Sequence, residues 1–199
     1  MMTHALQTRL TELTAFLTAH PQVRSMTLYG SLAEGREDEY SDIDVALDVS
    51  GTDNGVFLLA LPEILAQKYP VLYTDFAPSL APDKYILTAA IYPEDRFLLL
   101  DISVTAVPHC TTVTKGMLAE RNDPYSHTMK LFTANLKHYL RGTDCGRDIR
   151  KMTGRLPGYD ETASLSAMLR HTFHWLTAHG TPEMQTYLTR FQPCMAQLT

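Results

Sequence analysis

The chain has 199 residues, 45% of them hydrophobic, and a formal net charge of −5. That length can bury one good core or two small ones. No run of eighteen apolar residues is present, so no membrane span is expected, and the acidic balance gives no support for strong nucleic-acid binding.

The charge is unevenly spread. Residues 1–110 hold six Lys/Arg against fifteen Asp/Glu, a net of −9, whereas residues 111–199 hold eleven against seven, a net of +4. An acidic first half suits carboxylates gathered around a metal. The basic second half, richest in Lys130, Lys137, Arg141, Arg147, Arg150, Lys151 and Arg155, either faces phosphates or presents ordinary solvated helix faces. The start, MMTHALQTRL, lacks the basic head and apolar core of a secretory signal. Cys110, Cys145 and Cys194 are far apart and form no CxxC pair. They argue against a disulfide framework or structural zinc and for a reduced, cytoplasmic setting.

Residues 3–19 place Leu6, Leu10, Leu13, Phe16 and Leu17 at helical spacing and stop before Pro21. Residues 23–29 read as a strand entering Gly30-Ser31. A turn of helix over 32–37 would follow, its N-terminal amides and the Ser31 hydroxyl able to face an anion. Gly30 has no Cβ, so the backbone there can turn tightly and approach a ligand. Residues 42–49 alternate acid and apolar side chains, which puts Asp42 and Asp44 on one strand face and Ile43 and Val45 on the other. Two hard oxygen ligands on one surface suit Mg²⁺, which completes its shell with water and substrate phosphates.

A turn cluster at 50–54 precedes a helix over 56–68, which Pro62 is expected to divide or kink. Strands follow at 71–77, 85–92 and 97–105, the last two joined closely enough for an antiparallel hairpin. Asp101 interrupts the apolar run FLLLDISVT. A carboxylate there is costly unless it is paired or metal-bound, and with an Asp-x-Asp pair on a neighbouring strand it joins the candidate site. Asp75, in VLYTDFA, is either a further acid of the site or a strand-end residue. Beyond Pro108 the texture turns helical, at 126–140, 144–151, 161–178 and 182–198. The expectation is an α+β chain with an N-terminal domain over 1–108 and a helical domain over 109–199.

Other constellations carry less. His171 and His174 sit one turn apart beside Trp175 without a third ligand, so packing around the indole is favoured over metal binding. Tyr69, Tyr73, Tyr85 and Tyr92 could stack on a base or line an acceptor pocket, but aromatic residues favour strands in any case, so a structural role is the default expectation. Ser31 has no His/Asp arrangement to make it a hydrolytic nucleophile.

Taken together, GSLAEGREDEYSDIDVAL and the later Asp101 resemble the nucleotidyltransferase superfamily of DNA polymerase beta, within it the small bacterial branch of kanamycin, lincosamide and minimal nucleotidyltransferases. The resemblance spans 28–105 in pattern and is strong over 29–47. It implies a mixed-sheet nucleotidyltransferase domain in which Gly30 and Ser31 hold the β- and γ-phosphates of ATP or another nucleoside triphosphate. It further implies that Asp42, Asp44 and Asp101 ligate two Mg²⁺ ions, which stabilise the attacking and leaving oxygens of an in-line displacement. Asp101 would act on the acceptor hydroxyl, or a separate base, Glu120 or Asp123, would do so. Where a small or basic residue is expected after Gly-Ser-Leu-Ala stands Glu34, leaving Arg36 as the nearest cation for phosphate.

The leading expectation is therefore transfer of AMP from ATP to a hydroxyl of a small molecule, with release of pyrophosphate. A protein-AMP-transferring antitoxin-like regulator and a catalytically silent nucleotide-binding module are the alternatives. Apolar C-terminal helices allow a homodimer.

Overall fold

The computed structural model describes residues 4–77 and 85–198, and Thr3, expected to open the first helix, lies outside them. The chain divides into two compact units, one formed by Met1–Tyr92 with Leu98–Asn122 and the other by Pro93–Phe97 with Asp123–Thr199.

In the first unit the elements are α1 (His4–Thr18), β1 (Ser25–Tyr29), α2 (Gly30–Ala33), β2 (Ile43–Asp48), α3 (Asn54–Ala66), β3 (Tyr73–Phe76), β4 (Tyr85–Ala90), β5 (Leu100–Thr105) and α4 (Lys115–Arg121). The five strands form one sheet in the order β1-β2-β5-β4-β3. β2 and β5 are parallel, while the other neighbours are antiparallel, so the sheet is mixed as expected.

Period-two patterning decides what each face does. Ile43, Val45 and Leu47 are fully buried, and in register with them lie Leu100, Ile102 and Val104, also fully buried. Leu13 and Leu17 of α1 and Phe57, Leu58, Leu61 and Leu65 of α3 belong to the same core. Each such buried side chain contributes about 1.5–3 kcal/mol relative to exposure. One consequence concerns Pro62: α3 continues through it unbroken. Proline deletes a single helical hydrogen bond, and the buried Leu58, Leu61 and Leu65 around it hold the helix together.

α4 was not anticipated. It begins at Thr114, whose side chain accepts a hydrogen bond from the Met117 amide, and Leu118 anchors it in the core. The preceding segment belongs to the same unit. Asp53 caps α3 through the Val56 amide and also accepts from the Thr112 amide and hydroxyl.

The second unit contains α5 (Pro124–Leu140), α6 (Gly146–Thr153), α7 (Leu165–His179), α8 (Pro182–Leu188), a 3-10 turn (Thr189–Phe191) and α9 (Gln192–Gln197). Its core includes Phe132, Leu136, Ile149, Leu169, Leu176 and Phe191, all fully buried. The Phe191 ring meets Phe97, Phe132 and Tyr187 with centroids 5.7, 5.6 and 5.4 Å away. The single helix expected over 182–198 is thus divided, because Pro193 has no N–H to continue the helical ladder through the 3-10 turn. The helix expected from 161 starts at Leu165 instead: Asp160 binds the Thr162 amide and hydroxyl in a turn, and Ser164 then caps α7.

Candidate active site

β1 ends at Tyr29, and the chain turns at once through Gly30, whose φ is +71°. A Cβ added there would stand 2.3 Å from Asp44 Oδ2. Both the left-handed backbone and the close approach of the Asp44 carboxylate therefore demand glycine. α2 follows, and the Arg36 amide closes the turn onto the Ser31 carbonyl at 2.9 Å.

The polar loop back to β2 is laced internally. The Ser31 hydroxyl donates to Ser41 Oγ at 3.0 Å; Ser41 Oγ accepts from the Asp38 amide at 2.9 Å and donates to Asp38 Oδ1 at 3.0 Å. Ser41 and Asp38, which the sequence pattern did not single out, thus hold the loop that carries Ser31. Arg36 is turned to Glu34 in an exposed ion pair, a contact of the kind worth under about 1 kcal/mol.

Asp42 sits just before β2. Its Oδ1 accepts from the Leu99 amide at 3.1 Å, and the Ile43 amide donates to the Leu99 carbonyl at 2.9 Å. The Asp42 carboxylate thereby extends the β2–β5 ladder by one step. Asp44 and Asp101 are direct register partners on the parallel strands β2 and β5, so both carboxylates rise from the same sheet face.

That pairing belongs to a longer row. Tyr29 pairs with Asp44, Asp44 with Asp101, Asp101 with Thr88, and Thr88 with Asp75, one polar residue from each of the five strands. Thr88 donates its hydroxyl proton to Asp101 Oδ1. Asp75 is fully buried at the penultimate position of the four-residue strand β3. Tyr29 and Thr88 escaped the sequence reading, since only the pairing register places them beside the acids. The electrostatics agree with the register. Burial first, then the negative charges of Asp44 and Asp101, push the Tyr29 phenol up to about 12.

The donor set fits a hard divalent cation: the Asp44 and Asp101 carboxylates rise from one sheet face, beside the Gly30 turn. Among the described residues, no group of three or more His, Cys, Asp or Glu side chains stands ready to hold a metal ion by itself. Mg²⁺ does not require such a cage, because one or two carboxylates and substrate phosphates satisfy it.

Glu120 is exposed on α4. Asp123 belongs to the second unit, where it caps α5 by accepting from the Ser126 amide and hydroxyl, both at 2.8 Å. Tyr73, Tyr85 and Tyr92 are buried, with the Tyr85 hydroxyl donating to the Val113 carbonyl. His171 Nε2 lies 3.0 Å from the Pro157 carbonyl, and the His174 ring packs on Phe173. The three cysteines are unpaired, and no described helix is long and apolar enough to cross a membrane.

Residues 11–83 match a family model described as a nucleotidyltransferase domain. The match includes Gly30, Ser31, Asp42, Asp44 and Asp75 and stops before Thr88 and Asp101. No curated protein matches the chain. Among solved structures the chain is similar to a GLD-2/RNP-8 complex, at 14% identity over 90% of this chain and 81% of that one, with a TM-score of 0.41. It is also similar to the non-canonical poly(A) polymerase complex GLD-2–GLD-3, at 18% identity over 100% and 63%, with a TM-score of 0.39. A third is the Cid1 poly(U) polymerase, at 13% identity over 88% and 67%, with a TM-score of 0.37.

Proposed function

We propose, on the match of residues 11–83 to a nucleotidyltransferase domain model, that the chain transfers a nucleoside monophosphate, AMP from ATP, to a hydroxyl of a small acceptor with release of pyrophosphate. The observation that carries this reading is the direct register of Asp44 with Asp101 beside Gly30. Asp44 and Asp101, with Asp42 at the head of β2, would hold Mg²⁺. When bound, the cation supplies positive charge to the triphosphate and to the oxygens between which the nucleotidyl group moves.

The chain's own residues do the rest. Gly30 lets the turn approach the β- and γ-phosphates, and the Ser31 hydroxyl, held through Ser41, lies in the same turn. Asp101 is the group we assign to orient the acceptor hydroxyl and receive its proton. Bond formation from the acceptor oxygen to the α-phosphorus is matched by cleavage of the α–β phosphoanhydride, and pyrophosphate leaves. Arg36 is a secondary phosphate contact that would first have to leave Glu34. The unpaired cysteines are consistent with a reducing, cytoplasmic setting.

The test is pyrophosphate release from ATP with Mg²⁺ across a panel of hydroxylated small molecules. Turnover with at least one acceptor is expected, and Asp44→Asn and Asp101→Asn should each lower it about 100-fold or more, the scale of losing a group that acts on the transition state. No release with any acceptor, together with no Mg²⁺-dependent ATP binding, would overturn the assignment.

A further inference from the structure

Thr88 is a hydroxyl in an otherwise apolar stretch of β4, Ile86-Leu87-Thr88-Ala89-Ala90, and only 5% of it is exposed. A buried hydroxyl requires a partner, and this one's single proton goes to Asp101 Oδ1. Thr88 is the register partner of Asp101 on one side and of Asp75 on the other. It therefore reaches the acid row from within the sheet, opposite in the strand order to Asp44. Its β-branched side chain has little χ1 freedom, so the direction of the hydroxyl is set by the strand. The strand is held in turn by β3 and β5 along its length.

We propose, on the nucleotidyl-transfer reading above, that Thr88 is a positioning residue: its hydroxyl fixes the rotation of the Asp101 carboxylate so that it presents to a divalent cation and to the acceptor in one orientation. A carboxylate on a single rotatable Cβ–Cγ bond otherwise samples a broad range of angles, and a donor at Oδ1 removes that freedom. Preorganised groups of this kind act without reorganising during the reaction. Thr88 touches neither substrate nor cation in this scheme. Asp101 does.

The experiment uses two hydroxyl deletions in the full chain, Thr88→Val against the natural residue and Thr88→Ala against Thr88→Ser. The second pair keeps the methyl group absent from both partners, so packing cancels. Two readouts are taken: Mn²⁺ binding without nucleotide, followed by the loss of free-ion paramagnetic signal, and kcat and KM for pyrophosphate release. Each hydroxyl deletion should weaken Mn²⁺ binding several-fold and lower kcat about tenfold or more, with KM for ATP within about threefold. Thr88→Ser should retain both properties even where its melting temperature falls.

Equal Mn²⁺ affinity and equal kcat across either pair overturns the proposal. So does a Thr88→Ser chain impaired as much as Thr88→Ala, which would assign the effect to the lost methyl. A wild-type chain that binds Mn²⁺ in an Asp101-dependent way but releases no pyrophosphate overturns the functional reading alone, and the Mn²⁺ comparison still decides the role of Thr88. A wild-type chain with neither property overturns both.

Discussion

The Tyr29 phenol is pushed up to about 12 by burial first and by Asp44 and Asp101 after it, which makes it a reporter of charge at the acid row. Replacing Asp44 with Asn removes one negative neighbour, so the Tyr29 midpoint should fall below its value near 12 while staying above the ordinary value of about 10, because burial, the larger cause, remains. Carbon-13 NMR of ring-labelled tyrosine, assigned with Tyr29→Phe, measures it. An unmoved midpoint would mean that the two side chains do not feel each other. The sign of the linked stability follows: a folded pKa above the unfolded one stabilises fully below about pH 10, and that contribution is lost as pH rises through about 12. Tyr29→Phe should therefore lose less stability than the natural chain across that alkaline window. The acids themselves were legible in the sequence. Asp42 and Asp44 stand out by their spacing, Gly30 by the turn that precedes them, and Asp101 by interrupting an apolar run. Tyr29 and Thr88 were not legible, because a tyrosine and a threonine are ordinary strand residues until the register of the partner strands is known.

At the scale of elements, sequence patterning located β1, β2, α3, β4 and β5 because each carries a clear period or an apolar run that one sheet face can bury. It failed where a single local contact outweighs the pattern. Pro62 is tolerated in α3, Pro193 divides the C-terminal helices, and α4 depends on the Thr114 cap, which short-range composition hides among threonines. Asp53 shows how much one such contact can join. Its carboxylate takes the Val56 amide at 2.9 Å, the Thr112 amide at 2.6 Å and the Thr112 hydroxyl at 2.7 Å, tying the start of α3 to the segment after β5. Asp53→Ala should cost about 1–2 kcal/mol, the upper range for a lost helix cap, read from chemical denaturation with an unchanged slope. Asp53→Asn should recover much of this, since an amide oxygen still caps. Burial pushes the Asp53 carboxyl up, but the Thr112 hydroxyl and the neighbouring amides outweigh it and hold its pKa below the ordinary range. Its contribution is thus present above the ordinary carboxylate pKa and is lost as pH falls through the lowered folded value, so the gap between Asp53→Ala and the natural chain should narrow in strong acid.

At the scale of the molecule, the acid row, the glycine turn and the loop that holds Ser31 all lie in the first unit, inside the half of the sequence whose net charge is −9. This concentration of negative charge has a thermodynamic consequence for the proposed co-substrate. ATP is itself a polyanion, so without a cation it meets repulsion from the same carboxylates that are proposed to hold Mg²⁺. Binding should therefore be conditional: ATP alone should leave the melting temperature of the first unit nearly unchanged, and Mg²⁺ alone should raise it slightly. ATP with Mg²⁺ should raise it strongly. A ligand that binds only the folded state at 100 times its Kd stabilises by about 2.7 kcal/mol, which for a unit of this size is a shift on the order of 10 °C. Chelation with EDTA should return the transition to its starting point. Asp44→Asn and Asp101→Asn should abolish the synergy by removing the cation's ligands, even though each lowers the negative charge and so relieves the repulsion of ATP alone. The two effects have opposite signs. A mutant that binds ATP better without metal and no better with it would identify these carboxylates as cation ligands, whereas an equal shift with and without Mg²⁺ in the natural chain would exclude a metal-bridged triphosphate.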